Sequence, residues 1–322
     1  MASSVYEQIK ASRPLPSPTG VALQILELAR DDESSMQDIA AVVESDPATA
    51  SRLLQVVNSS AYGVPRQIAS VRRAVVLLGI KAVTGLALGF SLITGNRRGA
   101  CPEFDYELFW SDSLGRAVAG GYLARRIEGL VPDEVFTCGL LSQIGRLALA
   151  TAFPKDYAVV LREVGAGGRE ALAERERAAY GIDHNLLSAE MMRGWRIPDM
   201  FCQAVSFQER PGRIDEGADP AVRLLARLLH LSGSMAWVLT RTSIYRDTLS
   251  ALVHEAAAMH FDPSVCHEVF DAISEKWREA GFIFSVRTRA VPALAVIYAQ
   301  AMERRPTVQA GTDRAAACPD FA

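Results

Sequence analysis

DPATASRLLQVVNSSAYG, residues 46–63, carries the punctuation of one complete helix. Asp46 is a good N-cap because its carboxylate can accept from the free amides of a first turn. Pro47 has the φ that the first helical position wants and lacks an N–H that would go unpaired there. Leu53, Leu54, Val56 and Val57 then recur at helical spacing and are expected to face inward. Asn58, followed by two serines, ends the run, either by satisfying free carbonyls or by taking the left-handed conformation. Asp46, Pro47 and Asn58 are thus read as structural rather than binding residues.

The same grammar repeats outward in both directions. VALQILELA (21–29) has a broad apolar face, and SSMQDIAAVVES opens with Ser35 and has Asp38 three places on, the spacing of a capping box. Ser70 caps SVRRAVVLLG, which Gly79 closes. Helices are expected from about Tyr106 to Ile127 and from Pro132 to about Ala152. PKDYAVVLREV and REALAERERAAY make two more, separated by the turn GAGG at 165–168, which lacks the lysine and preceding strand of a phosphate loop. Asp183 caps HNLLSAEMMRGW, and Pro198-Asp199 starts MFCQAVSFQE. No alternating run is long enough to build a sheet, so the expected fold class is all-α.

QERPGRIDEGADP (208–220) crowds proline, glycine and charge together and is the best internal boundary. The expected organisation is a lead-in over 1–13, a main domain over 14–210, a helical extension over 211–305 and a disordered, aperiodic tail over 306–322.

With 49% hydrophobic residues, 22% charged and a net charge of −3, the chain has the balance of a soluble globular protein, with none of the basic excess that nucleic acid demands. Its five cysteines (Cys101, Cys138, Cys202, Cys266 and Cys318) are scattered without zinc spacing and read as buried structural thiols of a reducing cytoplasm. The first residues have no apolar signal core. Residues 74–95 imitate a membrane span, but Lys81, Gly79, Gly85 and Gly89 interrupt them. Two buried helices meeting at Leu78-Gly79 explain the stretch, so a cytoplasmic protein with no membrane contact is expected.

Six segments in order resemble the HDOD domain, a degenerate relative of the HD phosphohydrolases found in bacterial signalling proteins. They are LPSPTGVALQIL, DPATASRLLQVVNSSAYG, SVRRAVVLLG, FWSDSLGRAVAGGYLA, GLLSQIGRLAL and YGIDHNLLSAEMMRGWRIP, together covering about residues 14–210. The resemblance implies an HD-like helical core in which Gly139 and Gly145 frame the fifth segment and Pro198 closes the sixth. Trp110 and Trp195 are expected core anchors, since an indole buries much area while its N–H seeks one partner. It also implies where an HD enzyme would hold its metal: the first His falls at Asp112, the His-Asp pair at Ser142-Gln143, and a later His-His at Phe207-Gln208. A hydroxyl and an amide are poor ligands for the cations such enzymes use. No metal, no cofactor and no catalytic residue is therefore expected; what survives is a relic pocket of Asp112, Ser142, Gln143 and His184.

His184 follows a helix cap and reads first as a residue fixing a helix junction, with binding in the relic pocket as the alternative. His230, His254, His260 and His267 lie at expected helical positions in the extension without metal spacing. Arg72 and Arg73, with Arg66 and Lys81 nearby, are candidates for meeting an acidic partner, as is the separate pair Arg97-Arg98. The function expected from the resemblance is a non-catalytic bacterial regulator that works by protein–protein contact, in two-component or cyclic-di-GMP signalling. Its partners are signalling proteins, with self-association open. A nucleotide or small-ligand sensor using the relic pocket is the alternative, and a residual metal-dependent phosphohydrolase ranks below it. No GGDEF, EAL or DNA-binding signature is present, so any output is expected from a partner.

Overall fold

The computed structural model describes residues 2–303 apart from 32, 166, 167, 243 and 245, and the expected tail falls outside the described residues. Among them all regular structure is helical. The helices before the boundary loop are α1 (Ala2–Ser12), α2 (Val21–Leu28), α3 (Met36–Glu44), α4 (Pro47–Val57), α5 (Val71–Gly95), α6 (Tyr106–Ala124), α7 (Pro132–Leu141), α8 (Ile144–Ala152), α9 (Pro154–Val164), α10 (Gly168–Tyr180), α11 (His184–Gly194) and α12 (Asp199–Ser206). After a 3-10 turn at Pro211–Arg213 come α13 (Pro220–Thr240), α14 (Arg246–Ala258), α15 (Pro263–Phe284) and α16 (Leu294–Glu303).

The local signals act as their chemistry dictates. The Asp46 carboxylate accepts from the amides of Ala48 and Thr49 at 3.4 and 3.1 Å. Ser35 and Asp38 close a full capping box. Asn58 chooses the first of its two options. Its Nδ2 donates to the carbonyls of Leu54 and Ile68 at 2.7 and 2.8 Å and its Oδ1 accepts from the Ile68 amide, while its backbone stays at φ −91°. The side chain thus ties the end of α4 to the strand-like approach to α5. Gly79 kinks α5 at φ 78°, where two helical halves meet.

Several expectations need correction. The residues read as a lead-in form α1, because Tyr6 and Ile9 sit one turn apart and are both buried. The helix expected to run to Ile127 ends at Ala124. The single helix expected over 132–152 is two, α7 and α8, broken at Ser142-Gln143. Trp110 is a buried anchor whose Nε1 donates to the Asn96 carbonyl at 2.9 Å, but Trp195 is only half-buried. His260 lies beyond the end of α14 with φ 63° rather than within a helix.

One continuous apolar cluster runs from Tyr6 through Ala301, so the extension shares the core of the main domain. α13 and α15 both pack on α6. Trp277 on α15 donates its Nε1 to the Ser111 carbonyl at 3.0 Å, and the Ser111 hydroxyl donates to the Arg287 carbonyl at 2.8 Å. Three helical stretches are long and apolar enough to cross a membrane, Val71–Gly95, Pro132–Ala152 and Pro220–Thr240. Of their apolar windows, 67%, 83% and 67% are buried inside the fold, which accounts for their composition. Cys101, Cys138, Cys202 and Cys266 are buried free thiols, as expected; Cys318 lies outside the described residues.

Candidate functional site

The break between α7 and α8 and the first turn of α11 are forced together by a glycine. A Cβ on Gly145 would stand 2.8 Å from the Ser188 amide nitrogen, so only glycine permits this crossing. The Gly145 amide uses the approach to donate to the Ser188 hydroxyl at 2.8 Å. Gly139 on α7 allows an equally close approach to α6, where its Cβ would lie 2.8 Å from the Arg116 carbonyl. The GLLSQIGRL frame therefore presses α7 against α6 and α8 against α11.

This packing surrounds a buried polar network. Gln208, after α12, donates its Nε2 to the Ser142 carbonyl at 2.7 Å and to Asn185 Oδ1 at 2.9 Å. The Arg116 guanidinium donates to Gln208 Oε1 at 3.4 Å and, through Nε, to Asp112 at 2.6 Å. Asp112, Ser142 and the start of α11 are thus joined through Arg116, which the sequence did not single out, and through Gln208, at the place implied for the later His-His. The Ser142 hydroxyl is spent on the Gly139 carbonyl at 2.8 Å. Gln143 is buried but its Nε2 meets no partner, as is also true of Ser113 Oγ and Arg146 Nε.

His184 is fully buried between two carboxylates. Its Nδ1 is 2.5 Å from Glu176 and its Nε2 is 3.1 Å from Glu209. Glu176 also accepts from the His184 amide at 2.9 Å and from the Tyr157 hydroxyl at 2.7 Å, while Asn185 donates to Glu209 at 3.0 Å. Burial works against charge on the imidazole, yet Glu176 and then Glu209 outweigh it and push its pKa up to about 10. Glu209 is likewise opposed by burial and drawn down to about 2, chiefly by His184. His184 is therefore an imidazolium with both ring nitrogens donating, which joins α10, α11 and the segment after α12.

Asp112 sits among guanidinium groups. Burial resists its charge, but Arg116, then Arg169 and Arg146, hold its carboxyl below the usual range. Burial and the proximity of Arg116 lower Arg169 to about 10, and its guanidinium donates to the Gly233 carbonyl of α13 at 2.7 Å. A metal ligand must offer a lone pair, and a hydrolytic metal needs uncommitted carboxylates and neutral imidazoles. Here the imidazole is protonated, the carboxylate is ion-paired and three cations crowd the position. The residues present do not fit a cation. Among the described residues no group of three or more His, Cys, Asp and Glu side chains is disposed to hold one.

His230, read from sequence as an ordinary helical residue of the extension, joins it to this network. Its Nδ1 lies 2.7 Å from the Gln208 carbonyl and its Nε2 3.1 Å from Glu255 on α14. No spacing rule signals such a contact across the boundary loop.

The basic cluster is smaller than the sequence implies. Lys81 pairs with Glu134 at 2.7 Å, and Arg97 donates to the Ser285 carbonyl at 2.6 Å, so it ties the extension down. Arg72 and Arg73 stand exposed on α5, Arg72 lying 3.5 Å from Glu44. One turn on, Val76 and Leu77 are 62% and 50% exposed, an apolar pair beside the two arginines.

Residues 15–211 match the HDOD domain family. The fold is similar to that of the MmoQ response regulator of Methylococcus capsulatus, with 32% identity, a TM-score of 0.50, and coverage of 80% of this chain and 98% of that one. It is also similar to an HDOD domain protein of Geobacter sulfurreducens, with 16% identity, a TM-score of 0.65, and coverage of 88% of this chain and 98% of that one. An uncharacterized protein of Treponema pallidum is 21% identical over 231 residues, 70% of this chain but 43% of that protein, so the chain spans under half the length of this curated relative.

Proposed function

The chain belongs to the HDOD family, and from that membership we propose that it is a non-catalytic regulatory module of bacterial cytoplasmic signalling that acts by contact with partner proteins. The observation that carries the reading is the closed charge network. Where a hydrolase would present a cation to phosphate, Asp112 is bound by Arg116, and His184 by Glu176 and Glu209. A response regulator among the similar structures supports a signalling setting, with two-component or cyclic-di-GMP components as the partners we propose. The contact surface on this reading includes Arg72 and Arg73 with Val76 and Leu77, a basic edge beside exposed apolar side chains.

A second reading has an observation of its own. Gln143 Nε2 and Arg146 Nε are buried donors without partners, and Arg146 acts on Asp112, which favours an anion rather than a metal in the relic pocket, as a ligand sensor would need. Two variants separate the readings. Charge reversal by Arg72→Glu with Arg73→Glu touches only exposed side chains, and Gln143→Ala removes an unpaired amide without opening the ion network. Partner capture followed by mass spectrometry, with circular dichroism to confirm folding, is expected to lose specific partners in the first variant and keep them in the second. Loss in the Gln143→Ala protein alone favours the sensor.

A further inference from the structure

Two clefts outside the network differ in how their polar groups are committed. The one between α4, α6, α7 and α15, about 190 Å3, is satisfied internally. Its Tyr62 hydroxyl donates to Asp133, its Ser60 amide and hydroxyl donate to Glu279, and its Arg125 donates to the Ala61 carbonyl. Nothing there calls for a ligand.

The second cleft, about 270 Å3, lies between α2, the latter half of α5, α7 and the turn joining α11 to α12. Its walls are apolar, with Leu26, Ile80, Trp195 and Phe201 around it, and Lys81 and Glu134 neutralise each other on one side. Two further cations, Arg30 and Arg196, line its exposed rim, and neither guanidinium pairs with a side chain among the described residues. Arg196 is also conformationally out of place. It occupies the residue after the cap of α11 in a Schellman motif, with its amide donating to the Arg193 carbonyl at 2.9 Å and the Ile197 amide to Met192 at 3.0 Å. Its φ is 57°, a position that glycine takes without strain and arginine does not. A strained residue that delivers an unpaired charge to the rim of an apolar cleft is an observation in search of a ligand.

We propose that this cleft binds an amphipathic monocarboxylate, with its aromatic or alkyl body against Trp195, Ile80 and Phe201 and its carboxylate between Arg30 and Arg196. The guanidinium fork matches a carboxylate, and the two guanidiniums at the rim together hold one such group, while the rest of the wall is apolar apart from the Lys81–Glu134 ion pair. This site is separate from the Asp112 network and independent of the contact reading above.

The test uses the full chain, 4-phenylbutanoate as probe and 4-phenylbutanol as its neutral counterpart, measured by titration calorimetry. The acid is expected to saturate at one per chain, and the alcohol to bind at least about tenfold more weakly for want of the charge-assisted hydrogen bonds. Trp195 emission is expected to shift on adding the acid, and that shift to disappear in Trp195→Phe. Arg196→Gly relieves the backbone strain, so its melting temperature is expected to hold or rise while acid affinity falls about tenfold. Arg30→Ala is expected to weaken the acid likewise. No saturable binding of the acid, equal binding of acid and alcohol, or unchanged affinity in a folded Arg196→Gly protein each overturns the proposal.

Discussion

His184 between Glu176 and Glu209 makes a buried charge triad whose energetics depend on pH in a defined direction. The imidazole is raised on folding from the ordinary 6.5 to about 10, so its contribution is complete below pH 6.5 and drains away as pH climbs through 10. Glu209 is lowered from 4.5 to about 2, so its contribution is complete above pH 4.5 and is lost as pH falls toward 2. Urea unfolding is therefore expected to show a stability plateau between these limits, declining on both sides. The alkaline decline should flatten in His184→Gln, which at neutral pH should be destabilised by about 3–5 kcal/mol, as expected when one member of a buried ion pair is removed. An alkaline arm of equal steepness in the variant would mean that other groups carry it. Of this triad only His184 stood out in the sequence. Glu176 and Glu209 lie eight and twenty-five residues away in a charged helix and a loop, where a glutamate is ordinarily solvated, so local pattern gave no reason to bury them.

At the scale of elements, caps and glycine kinks were readable because each rests on contacts within four residues. Ser35, Asp46, Ser70 and Asp183 all cap where expected. The break at Ser142-Gln143 was not readable, since the apolar residues on both sides keep helical spacing and the interruption is imposed by the close crossing of Gly145 over α11. The half-exposure of Trp195 was missed for a similar reason: whether a large apolar residue at a helix end is covered depends on elements distant in sequence. The same long-range packing governs the extension. α13 and α15 cover α6, and Ser111, Arg116 and Gln208 reach across to residues 287, 233 and 230. A chain ending at Arg210 is thus expected to expose the buried face of α6, bind 8-anilinonaphthalene-1-sulfonate strongly and aggregate on gel filtration. A monomeric 1–210 fragment with the thermal stability of the full chain would show that the main domain closes its own core.

At the scale of the whole molecule, an HD-like helical frame has been kept while the charges at its centre are arranged for one another. The guanidinium of Arg116 stands against Asp112, and the protonated His184 bridges two glutamates, so the positive charge at this centre comes from the chain's own side chains. Family membership and the all-α architecture followed from the sequence; the buried ion network did not, because Arg116 on α6, Arg169 and Glu176 on α10 and Glu209 after α12 acquire their roles only when these elements converge. The most direct measurement is a calorimetric titration of the full chain with Mn2+ at neutral pH, after dialysis against chelator. The account predicts no saturable uptake, in the native protein or after Asp112→Ala. One or two tightly bound ions per chain, lost in the Asp112→Ala variant, would contradict it.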